Sequence, residues 1–490
     1  MTSSKSTKRA LITSALAILM CAAMLIGTTF AWFTDTASTG VNKIVSGNLK
    51  VDIIGADSDS HIEKLNFTKA ATTDAEAGAE ILWEPGCRYL TEGFRIANKG
   101  NLALKWKAQV NTGTTAANEG NFDLLDVIDF YLVTKAADGT ETETALDEFT
   151  GNLKKTETSD VYYIKGVMQT TAGNDYQGLT LDGISITVVA TQDTVESDSF
   201  DNQYDKDAEY PILVTTGDEL QAIVSNATAP VNIVLTNSIT TNNFVIPADK
   251  DVTLDLNGRT VTNAGSHTIL NKGHLTLKDS SADKSGQIIS LKGNTAALRN
   301  GDNAVCVVEG GTISRDGANG NTWHVVENFG KMTFNGGKVV LKNGNGFAIT
   351  NGWNYFDPGA STTHAVMEIN ALELDTDSSG IKNCRYGDLT VNDVTVTSTG
   401  YWALSNDYLG TAVINGGTLT SNSFKAVSNG AAMTVNGGTF DGTQGFFVQS
   451  YATSTVLNGG TFANMNVDAL SSYVGTGHTA QQSGTSVIIK

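Results

Sequence analysis

Apolar and polar positions alternate between Leu389 and Phe462, and the alternation restarts four times, as LTVNDVTV, AVINGGTL, MTVNGGTF and TVLNGGTF. The asparagines Asn392, Asn415, Asn436 and Asn458 recur at intervals of 23, 21 and 22 residues. A helical repeat would place apolar residues every three or four positions, whereas here they flank each Asn-Gly corner at alternate positions. The pattern predicts strand, bend, strand, once per repeat. A fixed period of this size marks a solenoid.

The same register runs backwards through Asn370, Asn335, Glu309 and a poorer Lys278 to Asn257. Between these corners lies a second column of the form apolar-x-Asn: Asn271, Asn300, Asn328, Asn351, Asn383, Asn406 and Asn429, with Ser450 last. Two columns advancing together predict a right-handed parallel β-helix of roughly nine coils, each about 4.8 Å above the last. Glycine and asparagine suit corners that bend through positive φ, and stacked asparagines can bond amide to amide. Leu256, Val308, Phe334, Ile369, Val391, Ile414, Val435 and Leu457 form the expected inner stack. Cys306 falls in the inward column of Met332, Leu389 and Met433, which makes it a packing residue.

Upstream, Leu102 to Ala108 and Ile184 to Val188 alternate with turn-rich gaps between them, the pattern of a β-sandwich. Asp218 to Val224 reads as a short amphipathic helix that covers the open N-terminal end of the solenoid. The acidic stretch from Asp193 to Tyr210, with Asp198, Asp201, Asp205 and Asp207, reads as a solvated linker and lacks the glycine and closing glutamate of a calcium loop. The fold class is therefore all-β.

The N-terminus begins with Lys8 and Arg9 before an apolar run from Ala10 to about Phe30, a targeting segment with a retained anchor as its competitor. Phe30-Ala31-Trp32-Phe33-Thr34-Asp35 resembles the cleavage region of substrates of the SipW-type signal peptidase, found on the TasA/camelysin family of Gram-positive surface proteins. The resemblance continues through Ser46 to Asp52, through Trp83-Glu84-Pro85-Gly86 followed by Phe94 to Gly100, and through Gly183 to Gln192 with Glu196 to Phe200 behind. It implies cleavage between Ala31 and Trp32 and a jelly-roll-like sandwich over residues 32–200. The remaining divisions are a signal peptide 1–31, an acidic linker 201–211 and the β-helix 212–490. Some members of that family are described as metalloproteases and others build extracellular fibres. Fibre-forming relatives imply a further expectation, that the freed Trp32 segment adds as a strand to a neighbouring subunit.

Charge and composition narrow the function. The 490 residues include 50 glycines and only 5 prolines, as suits an extracellular all-β chain. Removal of residues 1–31, with Lys5, Lys8 and Arg9, takes the formal charge from −19 to −22. Such a chain repels nucleic acid and anionic membranes. Cys21 lies in the leader, and Cys87, Cys306 and Cys384 form no CxxC, which argues against a disulfide framework and a zinc site. The histidines are scattered, with no HExxH to hold zinc. No cofactor and no metal is expected.

Candidate chemistry on the solenoid is sparse in this reading. The coil pattern is similar, at the level of shape only, to pectate-lyase-like β-helices, many of which act on polysaccharides. Asp375 and Asp377, with Asp388 and Asp393 nearby in sequence, are the best carboxylate cluster for a glycosidase. Arg299, Glu327 and Lys382 occupy equivalent positions and read as ordinary surface charge. The interval from Asn335 to Asn370 is 35 residues, so a loop around Trp353 and Tyr355 bulges from the wall. Trp353, Tyr355, Tyr401 and Trp402 are the candidate carbohydrate-binding residues, against the alternative that they pack on the wall. The expectation is a secreted, non-catalytic surface or matrix protein, structural or adhesive, whose partners are further copies of itself, related matrix proteins or surface glycans. The alternative is a carbohydrate-binding or carbohydrate-active β-helix, favoured if three or more charged side chains converge in one groove.

Overall fold

The computed structural model describes residues 48–62, 65–68, 81, 83–116, 120–146, 149–182, 184–193, 209–317, 323–353 and 363–490. Ala31, Trp32, Tyr355, the donor segment and the stretch from Asp198 to Asp207 lie outside the described residues. Among the described residues no helix is long and apolar enough to cross a membrane.

The chain is all-β, and its N-terminal part, antiparallel throughout, fits a β-sandwich-like domain. Leu104–Asn111 alternates buried and half-buried along its whole length, as its sequence requires. It pairs with Ser185–Gln192 on one side and Phe149–Leu153 on the other. Phe94–Asn98 belongs to the larger sheet and pairs with Val51–Gly55. Trp106 fills the core between Phe149 and Tyr162, meeting both edge to face. Asn98, buried at the end of its strand, holds the following turn by donating to the Leu102 carbonyl at 2.7 Å and accepting from the Gly100 N–H at 2.9 Å.

The C-terminal part is a parallel β-solenoid of about ten turns. Each turn contributes a strand to three faces. In one turn these are Gly387–Val391 on the first face, Thr395–Ser398 on the second and Leu404–Asn406 on the third. Alternation puts Leu389 and Val391, Val396, and Leu404 inside, which produces a single core along the axis. Cys306 sits there one rung from Met332, and burial pushes its thiol up to about 12.

Both asparagine columns form hydrogen-bonded ladders, and their donors run in opposite directions. At the outer corner Asn392 Nδ2 donates back to Asn370 Oδ1 at 2.7 Å, Asn415 to Asn392 at 2.7 Å and Asn436 to Asn415 at 2.8 Å. The inner, fully buried ladder donates forwards, Asn328 to Asn351 at 2.7 Å, Asn351 to Asn383 at 2.8 Å and Asn383 to Asn406 at 2.8 Å. Main-chain contacts fix that inner direction: Asn383 Nδ2 also donates to the Gly387 and Thr411 carbonyls.

Two positions depart from the expected register. The inner stack passes through Leu254, which pairs with Leu277, and not through Leu256. There the Asp255 carboxylate takes over the corner, accepting from the Asn257 and Ser280 N–H groups at 3.0 and 2.9 Å, so two further residues enter the bend. At the other end Val448, not Ser450, lies beside Asn429. With no amide there to receive it, Asn429 Nδ2 donates instead to Thr455 Oγ1, and keeps the main-chain bond of the earlier rungs, here to the Ser454 carbonyl.

The predicted N-terminal helix is present as Gly217–Asn226, with Leu220 and Val224 buried in the solenoid core. Thr216 caps it by accepting from the Glu219 N–H. Gln221 closes the edge of the first third-face strand: its amide donates to the Val245 carbonyl and accepts from the Val245 N–H at 3.0 and 2.8 Å. At the far end Ser486–Ile489 turns back antiparallel on Gly460–Phe462. Both ends of the apolar column are thereby covered.

Candidate functional site

The third face carries the chemistry. In each of its tripeptides the flanking residues point inwards and the middle one outwards, so Arg299, Glu327, Thr350, Lys382, Ser405 and Ser428 occupy successive rungs of one outer column. Corner residues flank this floor on both sides: Trp323, His324, Tyr401 and Trp402 precede its strands, and Phe329, Trp353, Tyr386 and Tyr408 follow them.

Glu327 is the focus. Its carboxylate is only 4% exposed although it lies on an outward position. Arg299 Nη1 reaches Oε2 at 2.9 Å and Trp323 Nε1 donates to Oε1 at 2.9 Å, so each oxygen has a partner. A buried carboxylate needs such partners to be tolerable. Arg299 in turn lies 4.5 Å over the Phe329 ring, which packs tilted against Trp353 with centroids 4.5 Å apart. Two rungs on, Lys382 Nζ meets Asp407 Oδ2 at 3.1 Å and lies over the Phe347 ring. Trp323 keeps 37% of its surface exposed.

Two histidines stand beside this floor. His267 Nδ1 accepts the Ala296 N–H at 2.8 Å, which leaves the proton on Nε2 when the ring is neutral. His324 Nδ1 is held against the Phe347 main chain. Burial pushes both below the usual imidazole range, against the opposing pull of the Glu327 carboxylate. Among the described residues no group of three or more His, Cys, Asp or Glu is placed to hold a metal.

The carboxylates singled out in the sequence do not converge. Asp375 is on the second face, 2.8 Å from Lys342 Nζ, and Asp377 accepts the Asn343 N–H. Asp388 is on the first face, paired with His364 at 2.9 Å. Of the aromatic candidates, Trp353 is 9% exposed, its ring held by Phe329. Tyr401 is 55% exposed, and Trp402 behind it packs edge to face on Phe424 at 5.2 Å. Trp323 was missed, although it stands four residues before Glu327.

No family model matches the chain, and no curated protein matches it in sequence. Among solved structures it is similar to the catalytic domain of a GH87 alpha-1,3-glucanase in complex with tetrasaccharides. That match has 11% identity and a TM-score of 0.19, and covers 83% of this chain and 99% of the other. One expectation is corrected here, that of a chain without chemistry. It rested on Arg299, Glu327 and Lys382 being ordinary surface charge, whereas Glu327 is buried and ion-paired to Arg299, with a second pair, Lys382–Asp407, further along the same face. Catalysis is therefore no longer excluded. A likeness of this size does not establish an activity either.

Proposed function

We propose that the chain is a secreted surface or matrix protein whose β-solenoid engages a polysaccharide along the third face. The observation that carries this reading is the Arg299–Glu327–Trp323 cluster, with Lys382 and Asp407 two and three rungs on. Glycan recognition needs polar groups fixed in place for hydroxyls and an aromatic face for the sugar's C–H surface. Glu327, buried and bonded from both sides, fixes the part-exposed Arg299 guanidinium and the Trp323 ring in place. Lys382 and Asp407 add a donor and an acceptor that water still reaches, and Trp323 offers the ring. The formal charge of −19 disfavours nucleic acid as the occupant. Secretion rests on the Ala31–Trp32 cleavage resemblance.

The test is affinity electrophoresis of the full chain through gels containing neutral or anionic polysaccharides, with reducing-end assay of the same polymers for turnover. The wild type is retarded by at least one polymer, and Trp323→Ala and Lys382→Ala abolish the retardation. Retardation unaffected by both substitutions, or none with any polymer, overturns the reading.

A further inference from the structure

Beyond Lys382 the floor of the third face changes character. Its next two rungs are Ser405 and Ser428, both uncharged. Two corners of one turn, Tyr401 before the strand Leu404–Asn406 and Tyr408 after it, bracket Ser405, and they are 55% and 45% exposed. Tyr451, also 55% exposed, stands on the same side as Tyr408, two turns further on.

These tyrosines are positioned by specific local structure. Trp402 and Phe424 brace Tyr401 from behind. The hydroxyls of Ser398 and Ser421 both donate to its carbonyl. Tyr451 leans back across Gly430: a Cβ there would fall 2.7 Å from its ring, so only glycine lets the ring lie on the main chain. Beside Tyr408, Leu409 holds φ at +62°, a conformation that a non-glycine residue adopts at a cost. Leu409 is itself part-exposed, so no buried side chain accounts for that strain. Two cations border this stretch, and both are engaged: Lys382 pairs with Asp407 at 3.1 Å, and the Lys425 ammonium lies 3.2 Å over Phe447.

We infer that this tyrosine-bracketed stretch continues the glycan site with subsites for uncharged sugar units, so that the ligand is a long chain lying parallel to the solenoid axis. The inference rests on the polysaccharide reading above and names its substrate class. Exposed ring faces beside neutral hydroxyls suit the C–H and O–H surfaces of neutral sugars, and the two bordering cations are already engaged by Asp407 and Phe447. From Arg299 to Phe447 the column spans six rungs, on the order of 29 Å at the strand spacing. A disaccharide cannot cover that length.

The experiment is isothermal titration of the full chain with linear α- and β-linked gluco-oligosaccharides, from disaccharide to octasaccharide. Wild-type affinity should rise with length. Tyr401→Ala and the double variant Tyr408→Ala/Tyr451→Ala should each lower octasaccharide affinity several-fold and leave the shortest bound member unchanged. Tyr408→Phe/Tyr451→Phe, which keeps the rings, should behave as wild type, while Trp323→Ala should weaken every length. Octasaccharide binding unaffected by the tyrosine substitutions, or no tighter than disaccharide binding, overturns the extension, and if Trp323→Ala still weakens binding the charged site stands. Tyrosine variants that change only the sedimentation of the chain assign the patch to a protein contact and also overturn it. If no member binds, or binding ignores Trp323→Ala as well, both inferences fall.

Discussion

Arg299 and Glu327 lie 28 residues apart in sequence and one rung apart in space, with 2.9 Å between Nη1 and Oε2. The arginine keeps about a third of its side chain in solvent, while the glutamate keeps almost none. Removing the arginine therefore strands a buried carboxylate, whereas removing the glutamate leaves a cation that water can reach. Arg299→Ala should cost about 1–3 kcal/mol, the penalty of a buried polar group short of a partner. Lys342→Ala, which breaks the exposed pair with Asp375, should cost under about 1 kcal/mol. Urea denaturation of the two variants checks the order; equal losses would contradict the burial of Glu327.

The two ladders should differ in the same way. Asn383→Ala removes the acceptor of Asn351 and the donor to three further oxygens, all inside the solenoid. A loss of about 3 kcal/mol or more is expected from several stranded groups. Asn415→Ala, in the exposed outer ladder, should cost about 1 kcal/mol or less. Thermal melts in parallel measure the difference.

The coil is the unit of the fold. Deleting residues 415–435 joins Ile414, which stands one turn below its equivalent Val435, to Asn436, so the shortened chain keeps its register and should remain folded. Four residues inserted within Gly387–Val391 should unfold the surrounding turns, because they push the Asn392 corner out of its column and leave the added strand residues without partners on either neighbouring rung. Ile414→Ala, in the middle of the core, should cost roughly 2–5 kcal/mol. Circular dichroism and denaturation midpoints report all three.

Stability should fall in mild acid through the histidines of the third face. His267 and His324 resist protonation in the folded chain because burial lowers their pKa. The unfolded chain takes up those protons near pH 6.5. Below that pH the unfolded state binds more protons, so stability is lost as pH drops from about 6.5 towards the folded-state values. His267→Gln/His324→Gln should flatten this part of the stability–pH curve, as read from urea midpoints. An unchanged slope would show that other groups carry it.

Much of the solenoid was legible because one strong signal, alternation broken by a corner asparagine, recurs in every coil from Asn335 to Asn458. The capping helix at Gly217–Asn226 was legible for a similar reason: Leu220 and Val224 share one helical face and are both buried. The register failed where the corner chemistry changed. Asp255 fills its corner with a carboxylate that accepts main-chain N–H groups, while the Asn-Gly pair falls two residues later, at Asn257. The site was hidden for a different reason. The asparagine column already put Arg299, Glu327 and Lys382 on one line, but nothing in the sequence marks Glu327 as buried, since Arg299 and Trp323 close over it only in the folded coil. Asp375 and Asp388 misled in the opposite sense, since closeness along the chain spans two faces of the solenoid.

The central claim is that the third face, and not its neighbours, receives a polysaccharide. Titrating wild type, Trp323→Ala and the second-face double variant Thr397→Ala/Thr420→Ala with the polymer that retards the chain tests it most directly. Thr397 and Thr420 are outward neighbours on adjacent rungs of the second face. The account predicts that Trp323→Ala abolishes the binding isotherm while the threonine variant matches wild type. Binding that survives in Trp323→Ala and disappears in the threonine variant would contradict it.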